Sequence, residues 1–238
     1  MFKRIIRAIL RPLGYDIRRY SLVDDPFGIL LTLAREHGVT TIIDVGANTG
    51  QFAERVFAEG WEGNILSVEP LSDAHNALTR AASAIARWQV APRCAVGAVK
   101  GTALINVSGN SQSSSLLAAL AESSQSEPGI AAIRTETVDV ETLDSLVNSA
   151  NQTFLLKIDA QGYELNVLKG AENLFDAVPL IYTEMALAPS YDGAPLFTEL
   201  GQEIVEKGYT CVAIHQGYSR DKRMHEVDGL FVKNSALT

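Results

Sequence analysis

Apolar positions along this chain switch repeatedly between a period of two and a period near 3.6. Thr41, Ile42, Ile43 and Val45 are β-prone residues around Asp44; Gly46, Asn48 and Gly50 follow, and then Phe52, Val56 and Phe57 recur at helical spacing. The pattern predicts a buried strand, a tight turn with little side-chain bulk, and a helix whose start faces that turn. Ahead of it, residues 26–37 predict a helix with Phe27, Leu30, Leu31 and Ala34 on one face, ended by Gly38. Residues 64–69 predict a second strand, bounded by Gly63 and Pro70, residues 71–86 a helix and residues 88–96 a third strand. Strand–helix–strand alternation at this spacing implies an α/β fold with a parallel sheet and helices on both faces.

The rhythm breaks at residues 108–128, where eight serines predict a polar loop around a short helix over residues 116–121. In that loop Ser113, Ser114 and Ser115 are expected to point hydroxyls at a polar ligand above the sheet. Strand propensity returns over residues 133–140, and a short helix follows over 142–146. Phe154, Leu155, Leu156 and Ile158 then predict a fourth core strand with Asp159 at its C-terminal end. Gly162 permits a turn, and Leu165, Val167, Leu168 and Ala171 line the next helix. A fifth strand over residues 180–182 ends at Thr183 and Glu184, and residues 195–207 predict a helix with Pro195 in its first turn. The alternating runs YTCVAIHQG and EVDGLFVK predict an antiparallel C-terminal hairpin closing the sheet.

At the N-terminus, Phe2, Ile5, Ile6, Ile9, Leu10 and Leu13 form a helical apolar stripe opposed by Arg4, Arg7 and Arg11, with Pro12 near its end. Residues 1–20 therefore predict a basic amphipathic arm, and residues 21–238 the main domain. Such a helix either lies on an anionic membrane surface or packs on protein, and periodicity alone does not separate the two. Charge sharpens the contrast. The arm carries six basic side chains against Asp16, net +5, so the other 218 residues carry −13 of a chain total of −8. An acidic body disfavours nucleic acid as a partner, because phosphate neutralisation needs clustered cations near the site. Cys94 and Cys211 stand far apart without a CxxC context, no run is long and apolar enough to span a bilayer, and Arg7 and Arg11 interrupt any signal-peptide core. The expectation is a cytoplasmic protein whose arm either visits the inner face of a membrane or packs on protein.

Ligands of open α/β sheets bind beyond the carboxyl ends of the strands, where strand order reverses. Asp44, Glu69, Asp159 and Glu184 all fall at or near such ends. Glu69, at the end of the second strand, is placed to bond both ribose hydroxyls of an adenosine ligand. Neither the G-x-G-x-x-G dinucleotide pattern nor the G-x-x-x-x-G-K-[ST] phosphate loop is present, and the turn has no Lys or Arg to balance a pyrophosphate. What remains is an acid-rich site for an adenosine ligand bearing positive charge, the character of S-adenosylmethionine. The expected cofactor set is Asp44, Gly46, Ala47, Asn48, Gly50, Glu69, Pro70 and Ala95, with Asp44 meeting the methionine end directly or through water.

DVGANTGQF (residues 44–52), SVEP (67–70), NSQSSSL (110–116) and above all LKIDAQGYELNVLKGA (156–171) resemble the FkbM-type methyltransferases over roughly residues 40–232. The resemblance implies a Rossmann-like, seven-stranded S-adenosylmethionine-dependent fold and O-methylation, commonly of a sugar hydroxyl in a glycan, glycolipid or natural product. This chain has Ala160-Gln161 where that family usually has Val-Glu. Asp159 is the expected base or acceptor-orienting group, with Glu184 second, or the two together would hold a divalent cation such as Mg²⁺ that lowers the hydroxyl pKa. His215 and His225 lie in the closing hairpin, either within reach of an acceptor or simply solvated; His215 joins the catalytic set. Glu164 is either a site residue or an acid complementing its helix dipole, and Lys157 either pairs with a rim carboxylate or snorkels. The expected partner is a small-molecule or lipid-linked sugar acceptor. The competing reading is a non-catalytic, membrane-associated scaffold that retains a cofactor fold.

Overall fold

The computed structural model describes residues 4, 6, 8, 10–15 and 19–237. The remaining members of the apolar stripe expected in the arm, including Phe2, Ile5 and Ile9, lie outside the described residues; within the arm Arg11–Leu13 forms one 3-10 turn. Twelve strands follow among the described residues: β1 (Thr41–Val45), β2 (Asn64–Val68), β3 (Trp88–Val90), β4 (Ala95–Val96), β5 (Gly101–Ser108), β6 (Ala132–Glu141), β7 (Phe154–Ile158), β8 (Leu180–Ala186), β9 (Tyr209–Gln216), β10 (Ser219–Arg220), β11 (Arg223–Met224) and β12 (Glu226–Lys233).

Seven of them form the main sheet in the order β3-β2-β1-β7-β8-β12-β9. The pairs from β3 to β8 are parallel, and β12 pairs antiparallel with both β8 and β9. This is the predicted mostly parallel sheet with its antiparallel close. Strand order reverses between β1 and β7, so their carboxyl ends open a crevice there. All five residues of β1 and of β7 are buried, as strands covered on both faces must be. Alternation divides them between two cores. Ile43, Leu156 and Ile181 pack with the helices Glu164–Lys169 and Phe197–Glu206, whereas Ile42, Leu155 and Leu180 pack with Pro26–Glu36, Gln51–Ala58 and Ser72–Ala82. Each fully buried aliphatic side chain contributes roughly 1.5–3 kcal/mol, so this two-sided burial fixes the register of the strands that carry the site.

Three expectations need correction. Residues 88–96 are two strands in two sheets, because Pro92 interrupts pairing and the chain leaves the main sheet there. A second, three-stranded sheet, β4-β6-β5, was not anticipated at β5. The helix expected over residues 116–121 does not form; bridges from Ser115 to Asn106 and from Ala119 to Tyr191 hold that segment extended, and the helix begins only at Ala121.

Candidate active site

Above the switch between β1 and β7 lies a cavity of about 630 Å³, a size suited to a small-molecule ligand. Its first wall is the turn after β1. The Gly46 and Ala47 amides both donate to the Val68 carbonyl, holding the turn against the end of β2. Gly46 has φ +74°, and a Cβ built on it would lie 1.8 Å from the Asp159 carbonyl oxygen, so the approach of β1 to β7 requires glycine here. Glu69 closes this wall. One carboxylate oxygen accepts from the Asn48 amide at 2.8 Å and the other from the Leu71 amide at 2.9 Å. A carboxylate has about four acceptor sites, so both oxygens keep capacity for ligand hydroxyls. Burial pushes the Glu69 carboxyl up to about 7, against the lowering effect of those two amides.

Not all of the expected cofactor set faces the cavity. Gly46, Ala47, Asn48, Glu69, Pro70 and Ala95 line it; Asp44 and Gly50 do not. Asp44 is fully buried beneath the turn, paired with Lys157 Nζ at 2.9 Å and accepting from the Ser67 hydroxyl at 3.2 Å. It therefore orders the turn from below rather than meeting a ligand directly. Gly50, at φ +103°, starts the helix Gln51–Ala58 against the Trp88 ring. Lys157 is not a snorkelling residue: it donates to the Gly46 carbonyl at 3.1 Å and lies 3.8 Å from Asp159. Burial alone would lower its pKa, but the facing carboxylates of Asp44 and Asp159 outweigh that and hold the ammonium above its ordinary value.

The opposite wall is acidic. Asp159, Glu184, Glu226 and Asp228 line it together with Tyr182, Tyr191, Tyr218 and His225. β8 runs on through Ala186, so Glu184 sits within a strand, directly opposite Asp228 on β12. Like charges facing across a ladder repel. Burial first, and then the charge of Asp159, raise the Glu184 carboxyl well above its ordinary range; the same causes bring Glu226 up to about 7. Among the described residues no group of three or more His, Cys, Asp or Glu side chains is arranged to hold a metal ion.

Gln161, which sequence reasoning noted only as a departure, bridges the two expected catalytic acids. Its Nε2 donates to Asp159 Oδ1 at 2.9 Å and to Glu184 Oε2 at 2.7 Å. His215 is not brought to them. It lies outside the cavity lining, buried, with Nε2 2.8 Å from the Val23 carbonyl; a hairpin strand alternates sides, and this position faces the N-terminal segment. His225 does line the cavity, 5.9 Å from the Tyr218 ring. Glu164 caps the turn after Asp159, accepting from the Ala160 and Gly162 amides at 3.0 Å each.

The serine hydroxyls are mostly spent on the protein. Ser115 donates to the Gln161 carbonyl at 2.7 Å, Ser114 accepts from the Ser108 amide, and Ser113 accepts from Asn110. The loop thus forms a cover over the cavity, joined to the cofactor turn where Asn48 donates to Ser111 at 3.2 Å.

A family model for the methyltransferase FkbM domain matches residues 44–211. No curated protein sequence matches the chain. A SAM-dependent methyltransferase from Leishmania major shares the fold at 13% identity and a TM-score of 0.50, over 89% of this chain and 72% of its own. A candidate RNA methyltransferase from Pyrococcus horikoshii aligns at 13% identity and a TM-score of 0.43, over 98% and 99%. A candidate tRNA methyltransferase from Streptococcus pneumoniae, solved with S-adenosyl-L-methionine, aligns at 10% and 0.47, over 86% and 72%.

Proposed function

The chain belongs to the FkbM methyltransferase domain family, and on that premise we propose that it is an S-adenosylmethionine-dependent O-methyltransferase acting on a sugar hydroxyl of a glycan, glycolipid or natural product. The observation that carries this reading is one cavity with a cofactor wall of glycine turn and Glu69 facing an acid pair, Asp159 and Glu184. The donor set suits the cofactor: it offers carboxylates to ribose hydroxyls and to positive charge, and the turn has no cation for a phosphate. When bound, the cofactor supplies an electrophilic methyl group on a sulfonium.

Methyl transfer to oxygen releases the hydroxyl proton, and the chain's work is to align that oxygen and take the proton. Glu184, whose carboxyl burial and its neighbours raise well above its ordinary range, orients the acceptor. Asp159, partly exposed and beside Lys157, is the carboxylate left to receive the proton. The tyrosines of the acceptor wall give a flat, hydroxyl-rimmed surface of the kind sugars pack against. The basic segment at residues 1–20 is placed by its charge to bring the enzyme to lipid-linked acceptors at an anionic surface. Among the described residues no helix is long and apolar enough to cross a membrane.

Two measurements decide the reading. Calorimetry with S-adenosylmethionine should show binding, and its absence defeats the enzyme. Labelled cofactor with a glycolipid extract should label a sugar oxygen. Binding without any transfer would instead leave the non-catalytic scaffold, and label on nitrogen or on RNA would reassign the acceptor.

A further inference from the structure

Gln161 lies outside the groups that hold the cofactor or take the proton, yet more of the acceptor wall converges on it than on any of them. Its amide nitrogen serves both Asp159 and Glu184, and its Oε1 lies 2.9 Å from the Tyr191 hydroxyl. That hydroxyl is also 2.8 Å from the Ser113 carbonyl, so its single proton is shared between the cover and Gln161. The Gln161 carbonyl accepts from Ser115 of the same cover. Its backbone has φ +51°, a region an L residue occupies only where its surroundings hold it. In this orientation the amide nitrogen donates to both acids and Oε1 is left to accept from Tyr191.

We propose that Gln161 is the positioning residue of the acid pair, fixing Asp159 and Glu184 relative to one another and tying both, through Tyr191 and Ser115, to the serine-rich cover. A neutral amide suits this post. It contacts Asp159 at the end of β7, Glu184 on β8 and Tyr191 from the loop after β8, and the charged and titratable groups around that acid pair are Lys157 from β7, Tyr182 from β8, Glu226 and Asp228 from β12, and Glu164 from the following helix; Arg220 pairs with Glu127 nearby at 3.4 Å. A donor without charge binds two acids there without adding a third. The kinetic part of the test rests on the methyl-transfer reading; the titration part does not.

The decisive variant is Gln161→Glu, which replaces two N–H donors with a carboxylate. In carboxyl-carbon NMR titrations of the full chain without ligand, the Asp159 and Glu184 midpoints should rise by about one pH unit or more, because three adjacent carboxylates cannot all ionise. Superimposable titrations of variant and wild type would overturn the proposal. Should that variant fail to fold, Gln161→Ala and Tyr191→Phe carry the same measurement: both should move the two midpoints, Tyr191→Phe less. In transfer assays Gln161→Ala should lower kcat about 100-fold while the affinity for S-adenosylmethionine stays at the wild-type value. Lost turnover with both midpoints unmoved would also defeat the positioning role. Shifted midpoints in a protein that transfers nothing would leave this inference standing and defeat the methyl-transfer reading instead.

Discussion

The proposed cofactor half of the cavity is set by Gly46 and Asn48 within one short turn and fastened by Glu69; the proposed acceptor half is gathered from the end of β7, from β8 and β12, and from the serine-rich cover. The first half depends on how closely two strands approach, and the second on which charges are allowed to coexist. Substitutions should therefore break the first through structure and the second through chemistry.

The largest expected effect is on the cofactor side. Gly46→Ala drives a methyl group into the Asp159 carbonyl, and at positive φ it has no relaxed conformation to adopt. A loss of stability of about 4 kcal/mol or more is expected, seen as a collapse of the thermal unfolding temperature. An intact variant would show that the β1–β7 approach is looser than this geometry. Asp159→Asn comes next: turnover should fall about 10²–10⁴-fold while cofactor affinity, read by calorimetry, holds. If affinity fell with turnover, the two halves would not be separable. Glu69→Ala reverses that signature, weakening the cofactor about 10- to 100-fold through lost hydrogen bonds of roughly 1.5–3 kcal/mol. Equal affinity would remove Glu69 from the cofactor wall.

The smallest effect is on pH dependence. Burial lifts Glu226 from 4.5 to about 7 in the folded chain. Between those values the folded protein keeps a proton that the unfolded one has lost, so stability falls as pH rises through that window and the benefit is gone above it. Glu226→Gln should match wild type near pH 4 and exceed it near pH 8 in urea unfolding midpoints. An unchanged difference between the two pH values would mean Glu226 ionises freely.

The same contrast explains what could be read beforehand. The cofactor half comes from contiguous stretches whose strand, turn and helix each carry a local signal, so most of its lining was legible. Asp44 lies a layer below the cavity lining, and its pairing with Lys157 is the rim-carboxylate alternative expected for that lysine. In the acceptor half Asp159 and Glu184 were legible as strand-end acids. Tyr191, Glu226 and Asp228 were not, because only the β8–β12 pairing and the bridge at Ala119 bring them to the cavity. Gln161 could have been found: an amide two residues after Asp159, in the turn beside two expected site carboxylates, is itself a signal. His215 was drawn in by its place in the closing hairpin, but its strand position faces Val23 rather than the cavity. The strand β5 escaped notice because only its last residues alternate cleanly into a core, leaving Leu104 62% exposed.

The position of β12 has a consequence for biosynthesis. This strand follows β9 in the chain but is inserted between β8 and β9 in the sheet, and it delivers Glu226 and Asp228. On a ribosome the strands next to Gly46, Asn48 and Glu69 emerge well before it. The acceptor wall is completed only when β12 slots in and brings β9 to the edge. Until then the partly made protein holds Asp159 and Glu184 but lacks Glu226 and Asp228 beside them.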